Sequence, residues 1–239
     1  MDELFASPPR EILIVMLSAL GDAVHVLPVA QALKRAYPTS RITWVIQPVP
    51  YRLVQDHPAI DSFVVFRRRR GLSAWRSFLE VSRSLAGRRF DLLLGLQVYF
   101  KAGLITALAK ADVKLGFDRA RARDLNWLFT THRIPPRGFR HVQDQYFEFL
   151  EYLGVDPHPL DWGLTLTPEE RARQEEFFGR LERPVCAVVV GTSKPEKNWA
   201  PDRYARLLEA LESEWGFQCV LVGGPSTAER SAADQILRQ

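Results

Sequence analysis

Short apolar runs that do not alternate with polar residues are what most limit this chain's choice of fold. EILIVML (11–17), RITWVI (41–46), SFVVF (62–66), FDLLLGL (90–96) and VKLGF (113–117) are nearly continuous in apolar side chains. A strand with one face in water alternates; a strand covered on both faces does not. Between these runs lie segments of helical period: HVLPVAQALKRAY (25–37), AWRSFLEVSRSLAG (74–87) and KAGLITALAKA (101–111). In the second of them Trp75, Phe78, Leu79, Ser82 and Leu85 share one helical face. Strands and helices in this alternation predict an α/β fold, a parallel sheet with helices on both faces.

The pattern repeats further along. HVQDQYFEFLEYLG (141–154) reads as a helix closed by a glycine cap. VDPHPLDWGLTLTP (155–168) is rich in proline and has no period, as a linker would. In TPEERARQEEFFGRL (167–181) Thr167 and Glu170 have capping-box spacing. PVCAVVV (184–190) and FQCVLVGG (217–224) are strands, each followed by a helix, so a second α/β unit begins near Pro184. The expected division is an N-terminal domain over 1–153, a linker over 154–167 and a partial C-terminal domain over 168–239. A doubly wound domain ordinarily has five or six strands. Two strands in the second unit predict that these 239 residues are a fragment of a two-domain protein.

Composition narrows the class. Hydrophobic residues make up 46% of the chain, enough for a sizeable core, and the net charge of +4 suits anionic partners. Cys186 and Cys219 each sit within an apolar run, which predicts buried thiols rather than a disulfide framework. The opening MDELFASPPR is acidic and proline-bearing, unlike a signal peptide. Asp22 and His25 interrupt the apolar run that follows, so no membrane span is expected and the protein reads as cytoplasmic. Zinc-ligand spacing, an EF-hand loop and H-E-x-x-H are absent, so no metal is expected. Basic residues are interleaved with acids and no nucleic-acid-binding pattern occurs, so no nucleic-acid partner is expected.

Four stretches carry chemistry. In SALGDAVHVLP (18–28), directly after the first strand, Gly21 permits a tight turn and Asp22 falls where a helix N-cap would sit. Asp22 is either that cap or a general base held at a strand end, where ligands of parallel sheets bind. The stretch lacks the glycines and the lysine of dinucleotide and P-loop motifs. In GTSKPEKNWAPDRYA (191–205), Thr192, Ser193, Lys194 and Lys197 precede a helix start at Pro201 and Asp202. Hydroxyls and cations in that position suit a diphosphate, although an ordinary polar loop has the same composition. GGPSTAERSA (223–232) offers close backbone approach at its glycines and a carboxylate, Glu229, suited to a ribose diol or to solvent. Arg67, Arg68, Arg69 and Arg70 form either a solvated run or an anion-binding loop, and Lys101 and Arg123 are further cations near strand ends.

Taken together, ILIVMLSALGDAVHVLPVAQAL, FDLLLGLQVYFKAGLITALA, GTSKPEKNWAPDRYARLLEAL and LVGGPSTAE resemble family 9 glycosyltransferases, the bacterial heptosyltransferases of lipopolysaccharide core synthesis, most nearly the heptosyltransferase I branch. The resemblance implies a GT-B fold, with two Rossmann-like domains, the first taking the acceptor and the second the sugar nucleotide. It implies Asp22 as catalytic base, Thr192, Ser193 and Lys197 at the donor diphosphate, and Glu229 at the donor ribose. It also implies Arg67 to Arg70, Lys101, Arg123 and His141 on the acceptor side. The activity implied is inverting transfer of heptose from ADP-heptose to a Kdo residue of the inner core, without an essential metal. The partners implied are a sugar nucleotide and an anionic lipid-linked saccharide, met peripherally at the inner face of the cytoplasmic membrane. A further D-[ST]-G-x-x-H-L-A stretch of the family has no counterpart in the chain. A GT-B enzyme with another sugar nucleotide, or a non-catalytic nucleotide-binding fragment or paralogue, are the alternatives.

Overall fold

The computed structural model describes residues 4–239 apart from Phe139, Arg183, Ser193, Lys194, Pro225 and the side chain of Pro195. The chain forms two compact units, Met1–Thr165 and Leu166–Gln239.

The first unit is built on a six-stranded parallel sheet of order β3-β2-β1-β4-β5-β6. Its strands are β1 (Glu11–Val15), β2 (Arg41–Ile46), β3 (Ser62–Val65), β4 (Phe90–Gly95), β5 (Ala111–Gly116) and β6 (His132–Arg133). The helices are α1 (Leu20–Ala36), α2 (Pro48–Val54), α3 (Ala74–Leu85), α4 (Phe100–Leu108) and α5 (Val142–Leu153). Successive strand residues serve opposite faces. Ile12, Ile14, Trp44, Leu92 and Leu94 pack with Val26, Leu27 and Leu33 of α1 and Phe149 and Leu150 of α5. Leu13, Val15, Val45 and Leu93 pack on the other side with Val81 and Leu85 of α3 and Ala102 and Ile105 of α4. Both faces are therefore covered, as the unalternated runs require. Burying each large aliphatic side chain contributes about 1.5–3 kcal/mol, so the sheet interior is the main source of stability.

The structure revises several local expectations. The helix after β1 begins at Leu20, five residues before the expected start, which puts Asp22 in the first turn rather than at the cap; the N-cap is Ala19. PVPYRLV forms α2, with Pro48 at its first position where the missing N–H costs nothing. The two-residue β6 had no apolar run to announce it. In α3 the buried side chains are Ser77, Val81 and Leu85, so the core face is turned away from Trp75, which stands exposed.

The segment after α5 stays attached to the first unit. Gly154 closes α5 in the left-handed conformation. Arg35 Nη2 donates to the Pro157 carbonyl at 2.9 Å, and His57 Nε2 faces the Trp162 carbonyl at 2.9 Å. Gly163, at φ +58°, packs so tightly that a Cβ there would stand 2.7 Å from His57 Nε2.

The second unit contains α6 (Pro168–Phe178), β7 (Val185–Val189), α7 (Pro201–Ser213), β8 (Gln218–Val222) and α8 (Thr227–Leu237). The capping box of α6 is formed: Thr167 N–H donates to Glu170 Oε2 at 2.9 Å and Glu170 N–H to Thr167 Oγ1 at 3.2 Å. β7 and β8 pair in parallel with Cys186 opposite Cys219. Both cysteines are half-buried rather than buried, and Val189 and Val222 of this two-stranded sheet are exposed.

Candidate active site

In the order β3-β2-β1-β4-β5-β6 the chain reverses its direction of travel between β1 and β4. At that switch point the two following loops diverge and leave a crevice beyond the strand ends. Asp22 comes from the first turn of α1, which follows β1, and Gln97 from the loop after β4. Asp22 Oδ2 accepts the Ala19 N–H at 2.9 Å, which ties the carboxylate to the first turn of α1 and uses one of the orphan amides there. The positive end of the helix dipole favours its negative charge. Gln97 Nε2 donates to the Ser18 carbonyl at 2.6 Å and its Oε1 accepts the Leu17 N–H at 3.1 Å. Gln97 thus fixes the turn that delivers Asp22; a lone polar residue ending an apolar strand gave sequence reasoning no reason to select it.

Asp22 and Gln97 line a cavity of about 530 Å³ whose wall also includes Tyr146, Arg121, Arg123 and Arg137. Burial, and after it the Asp22 charge, push the Tyr146 hydroxyl well above its ordinary pKa, so it is present as a neutral donor. The three arginines are in different situations. Arg121 is held by Asp118 through Nε, by Glu148 at 2.8 Å and by the Pro135 carbonyl at 3.0 Å. Burial alone would raise the Asp118 carboxyl, but bonds from Arg121 and from the Ala120 and Arg121 amides outweigh it and hold it below the usual range. Arg137 pairs with Glu151 at 2.7 Å. Arg123 makes no ion pair among the described residues, and its guanidinium carbon is 5.9 Å from the centre of the Tyr99 ring. One uncommitted cation therefore shares a cavity with the candidate base. That suits an acceptor carrying a hydroxyl beside an anionic group.

The other residues expected on the acceptor side divide. Arg68 and Lys101 line two neighbouring clefts of about 250 and 330 Å³ together, the larger of which reaches Ser18 and Gln97. Arg69 and Arg70 line the smaller cleft, where Arg69 is already paired with Glu80 at 2.6 Å. Arg67 lines neither cleft; its carbonyl accepts from Ser77 Oγ at 2.7 Å. His141 is the N-cap of α5, with Nδ1 accepting the Gln143 N–H at 3.2 Å, and does not line the Asp22 cavity. Its ring meets His25 edge to face at 5.3 Å.

The second unit gathers its own set at the ends of β7 and β8. Thr192 Oγ1 donates to Asn198 Oδ1 at 2.9 Å, and Lys197 stands exposed in a 3-10 turn, Pro195–Lys197. Ser193 and Lys194 lie outside the described residues. Glu229 sits in the first turn of α8, capped by Ser226. Its Oε2 accepts from Ser226 Oγ at 2.5 Å and its Oε1 from the Gly224 N–H at 3.1 Å. Those bonds hold the carboxyl below its ordinary pKa. Gly191, at the end of β7, has no Cβ to obstruct this carboxylate: a Cβ there would stand 2.6 Å from Glu229 Oε1. Glu229 is therefore held across both strand ends, with lone pairs left for a diol.

Comparison with known proteins identifies the family. The chain belongs to glycosyltransferase family 9 (heptosyltransferase), whose family model matches residues 78–239. It is 28% identical to the lipopolysaccharide core heptosyltransferase OpsX of Haemophilus influenzae over 98% of this chain. It spans 65% of that relative's length. It is 26% identical to lipopolysaccharide heptosyltransferase 1 of Escherichia coli K12, covering 92% of this chain and 70% of that one. Among solved structures, the family 9 glycosyl transferase of Veillonella parvula superposes with TM-score 0.79 at 25% identity, covering 98% of this chain and 68% of that one. E. coli heptosyltransferase WaaC with ADP gives 0.73 at 23% identity, covering 95% and 70%. The two α/β units are those of a GT-B-type fold.

Proposed function

We propose that this chain belongs to an inverting heptosyltransferase that moves heptose from ADP-heptose to a Kdo sugar of a lipid-linked lipopolysaccharide core. The observation that supports the reading most is the cavity at the switch point, where the Asp22 carboxylate shares a wall with Arg123 and the Tyr146 hydroxyl. Asp22 takes the proton of the acceptor hydroxyl as its oxygen attacks the anomeric carbon. The bond from that carbon to the ADP oxygen breaks in the same displacement, so the centre inverts. Arg123 binds an acidic group of the acceptor and orients the hydroxyl toward Asp22. Negative charge grows on the leaving diphosphate, where Lys197 and the Thr192 and Ser193 hydroxyls stabilise it, more in the transition state than in the ground state. Glu229 accepts hydrogen bonds from the ribose. These protein cations supply the charge neutralisation, so the reading calls for no metal, and transfer should survive EDTA.

The acceptor is anchored in a bilayer, so the enzyme works peripherally at the cytoplasmic face of the inner membrane. Among the described residues no helix is long and apolar enough to cross a membrane. The test is mass-spectrometric detection of heptose added to Kdo₂-lipid A, in this chain and in a version extended to the length of its relatives. Asp22→Asn should lower the rate by roughly 10²–10⁴, the usual scale for loss of a general base. A rate within a few-fold of the parent protein would reduce Asp22 to a helix-capping residue.

A further inference from the structure

The stretch from Arg67 into the first turn of α3 carries two apolar side chains that neither the core nor the candidate site uses. Gly71, at φ +59°, opens a 3-10 turn, Gly71–Ser73, and the turn leaves Leu72 98% exposed. Trp75, in the first turn of α3, is 58% exposed. The core face of α3 runs through Ser77, Val81 and Leu85 and does not include Trp75. Neither Leu72 nor Trp75 lines the clefts that hold Arg68 and Lys101.

The charge around this pair is one-sided. From 67 to 85 the chain has six arginines and one glutamate, an excess of five positive charges in a protein whose net charge is +4. Arg67, Arg68, Arg69 and Arg70 are all exposed. Arg76 lies 5.8 Å from the centre of the Trp75 ring. The base of the segment is fixed while its apex projects. Buried Ser77 accepts the Arg69 N–H at 3.1 Å and donates to the Arg67 carbonyl at 2.7 Å.

From this arrangement we infer that the Arg67–Trp75 apex is a docking site for an anionic lipid bilayer, with Leu72 and Trp75 entering the interface and the arginines meeting lipid phosphates. A Leu and a Trp ringed by arginines match the two halves of a bilayer surface. An indole prefers the boundary between headgroups and acyl chains, and forked guanidinium groups pair with phosphates. Two apolar side chains give reversible rather than permanent attachment. The inference deepens the proposed function and rests on its lipid-linked acceptor: an enzyme whose acceptor sugar stands on a membrane needs its cationic clefts beside that surface. Arg68, Arg69 and Arg70 line those clefts and belong to the same apex.

Co-sedimentation of this chain with sucrose-loaded vesicles tests it, using phosphatidylcholine alone and phosphatidylcholine mixed with phosphatidylglycerol. The expected result is binding to the mixed vesicles that weakens with salt, and little binding to phosphatidylcholine. Leu72→Ser with Trp75→Ser should weaken binding to the mixed vesicles roughly ten-fold. Both side chains are exposed, so circular dichroism of the variant should match the parent. If the double variant fails to fold, Leu72→Gln alone gives the reading. Equal binding to both vesicle types, or an unaltered double variant, overturns the inference; a surface for another protein would give the second result. Failure of the heptosyltransferase reading is seen separately, as no transfer by the extended protein to a water-soluble, deacylated acceptor. That outcome leaves the vesicle comparison intact.

Discussion

Gln97 and Ser18 are joined by a 2.6 Å hydrogen bond, from Gln97 Nε2 to the Ser18 carbonyl, across the switch point of the sheet. With the Leu17 N–H bound to Gln97 Oε1, one side chain satisfies a donor and an acceptor of the turn that precedes Asp22. Gln97→Leu keeps the volume and removes both bonds. It should destabilise the first unit by about 1–3 kcal/mol in urea unfolding, the usual penalty for stranded polar backbone. In a transfer assay kcat should fall with little change in the KM for the sugar nucleotide.

A second expectation concerns Gly191. A methyl group there would displace the Glu229 carboxylate from its place between Gly224 and Ser226. Gly191→Ala should leave the thermal midpoint of the second unit nearly unchanged, because what must give way is the flexible side chain of a solvent-facing residue. Calorimetric titration with ADP should show weaker binding, while the unfolding of the first unit stays as it was.

Arg121 leads to a third. Its guanidinium is the partner of Glu148, whose side chain is 1% exposed. Glu148 Oε1 and Oε2 have no aligned hydrogen-bond donor, so the 2.8 Å charge contact is what offsets the burial of this carboxylate. Arg121→Ala leaves the carboxylate buried and unpaired and should cost the first unit about 3–5 kcal/mol. The double change Arg121→Met, Glu148→Met should recover only part of that loss in the same urea titration, since an apolar pair replaces the Glu148 ion pair while buried Asp118 still lacks its guanidinium partner.

A fourth follows from His57, 5% exposed. Burial lowers its pKa below the ordinary value of about 6.5, only partly opposed by the Trp162 carbonyl and the Asp161 charge. A neutral ring with its proton on Nε2 donates to Trp162 and accepts the Ala59 N–H at Nδ1, 3.3 Å away. As pH falls below about 6.5 the unfolded chain takes up the proton first, so this stabilisation is full above that pH and fades beneath it. Thermal unfolding of the first unit followed from about pH 7.5 to pH 5.5 should show the decline, and His57→Gln should flatten it.

The parallel sheet was legible because burial on both faces writes itself as unbroken apolar runs, which is why β1, β2 and β4 were found close to their observed limits. β6 has two residues and no such run. α2 was hidden because Pro48 and Pro50 look like loop residues until the first is seen at the helix N-terminus. Asp22 was singled out as a residue just past a strand end, but its exact position depended on Gly21, a poor helix former, joining the helix with Leu20. Trp75 was grouped with Phe78 and Leu79 by period alone; packing chose a face rotated toward Ser77 and Val81. Arg121 could not be told from Arg119 and Arg123 in DRARARD, because only the fold brings Glu148 to it. Residues acting through a distant partner leave little local trace.

The strap formed by Arg35, His57 and Gly163 decides where this molecule can be divided. A shortened protein ending at residue 153 would uncover the His57 ring and forfeit the contact of Arg35 with the segment beyond. One ending after Thr165 would carry its own covering with it, and is the piece to prepare for isotope labelling of the Asp22 pocket.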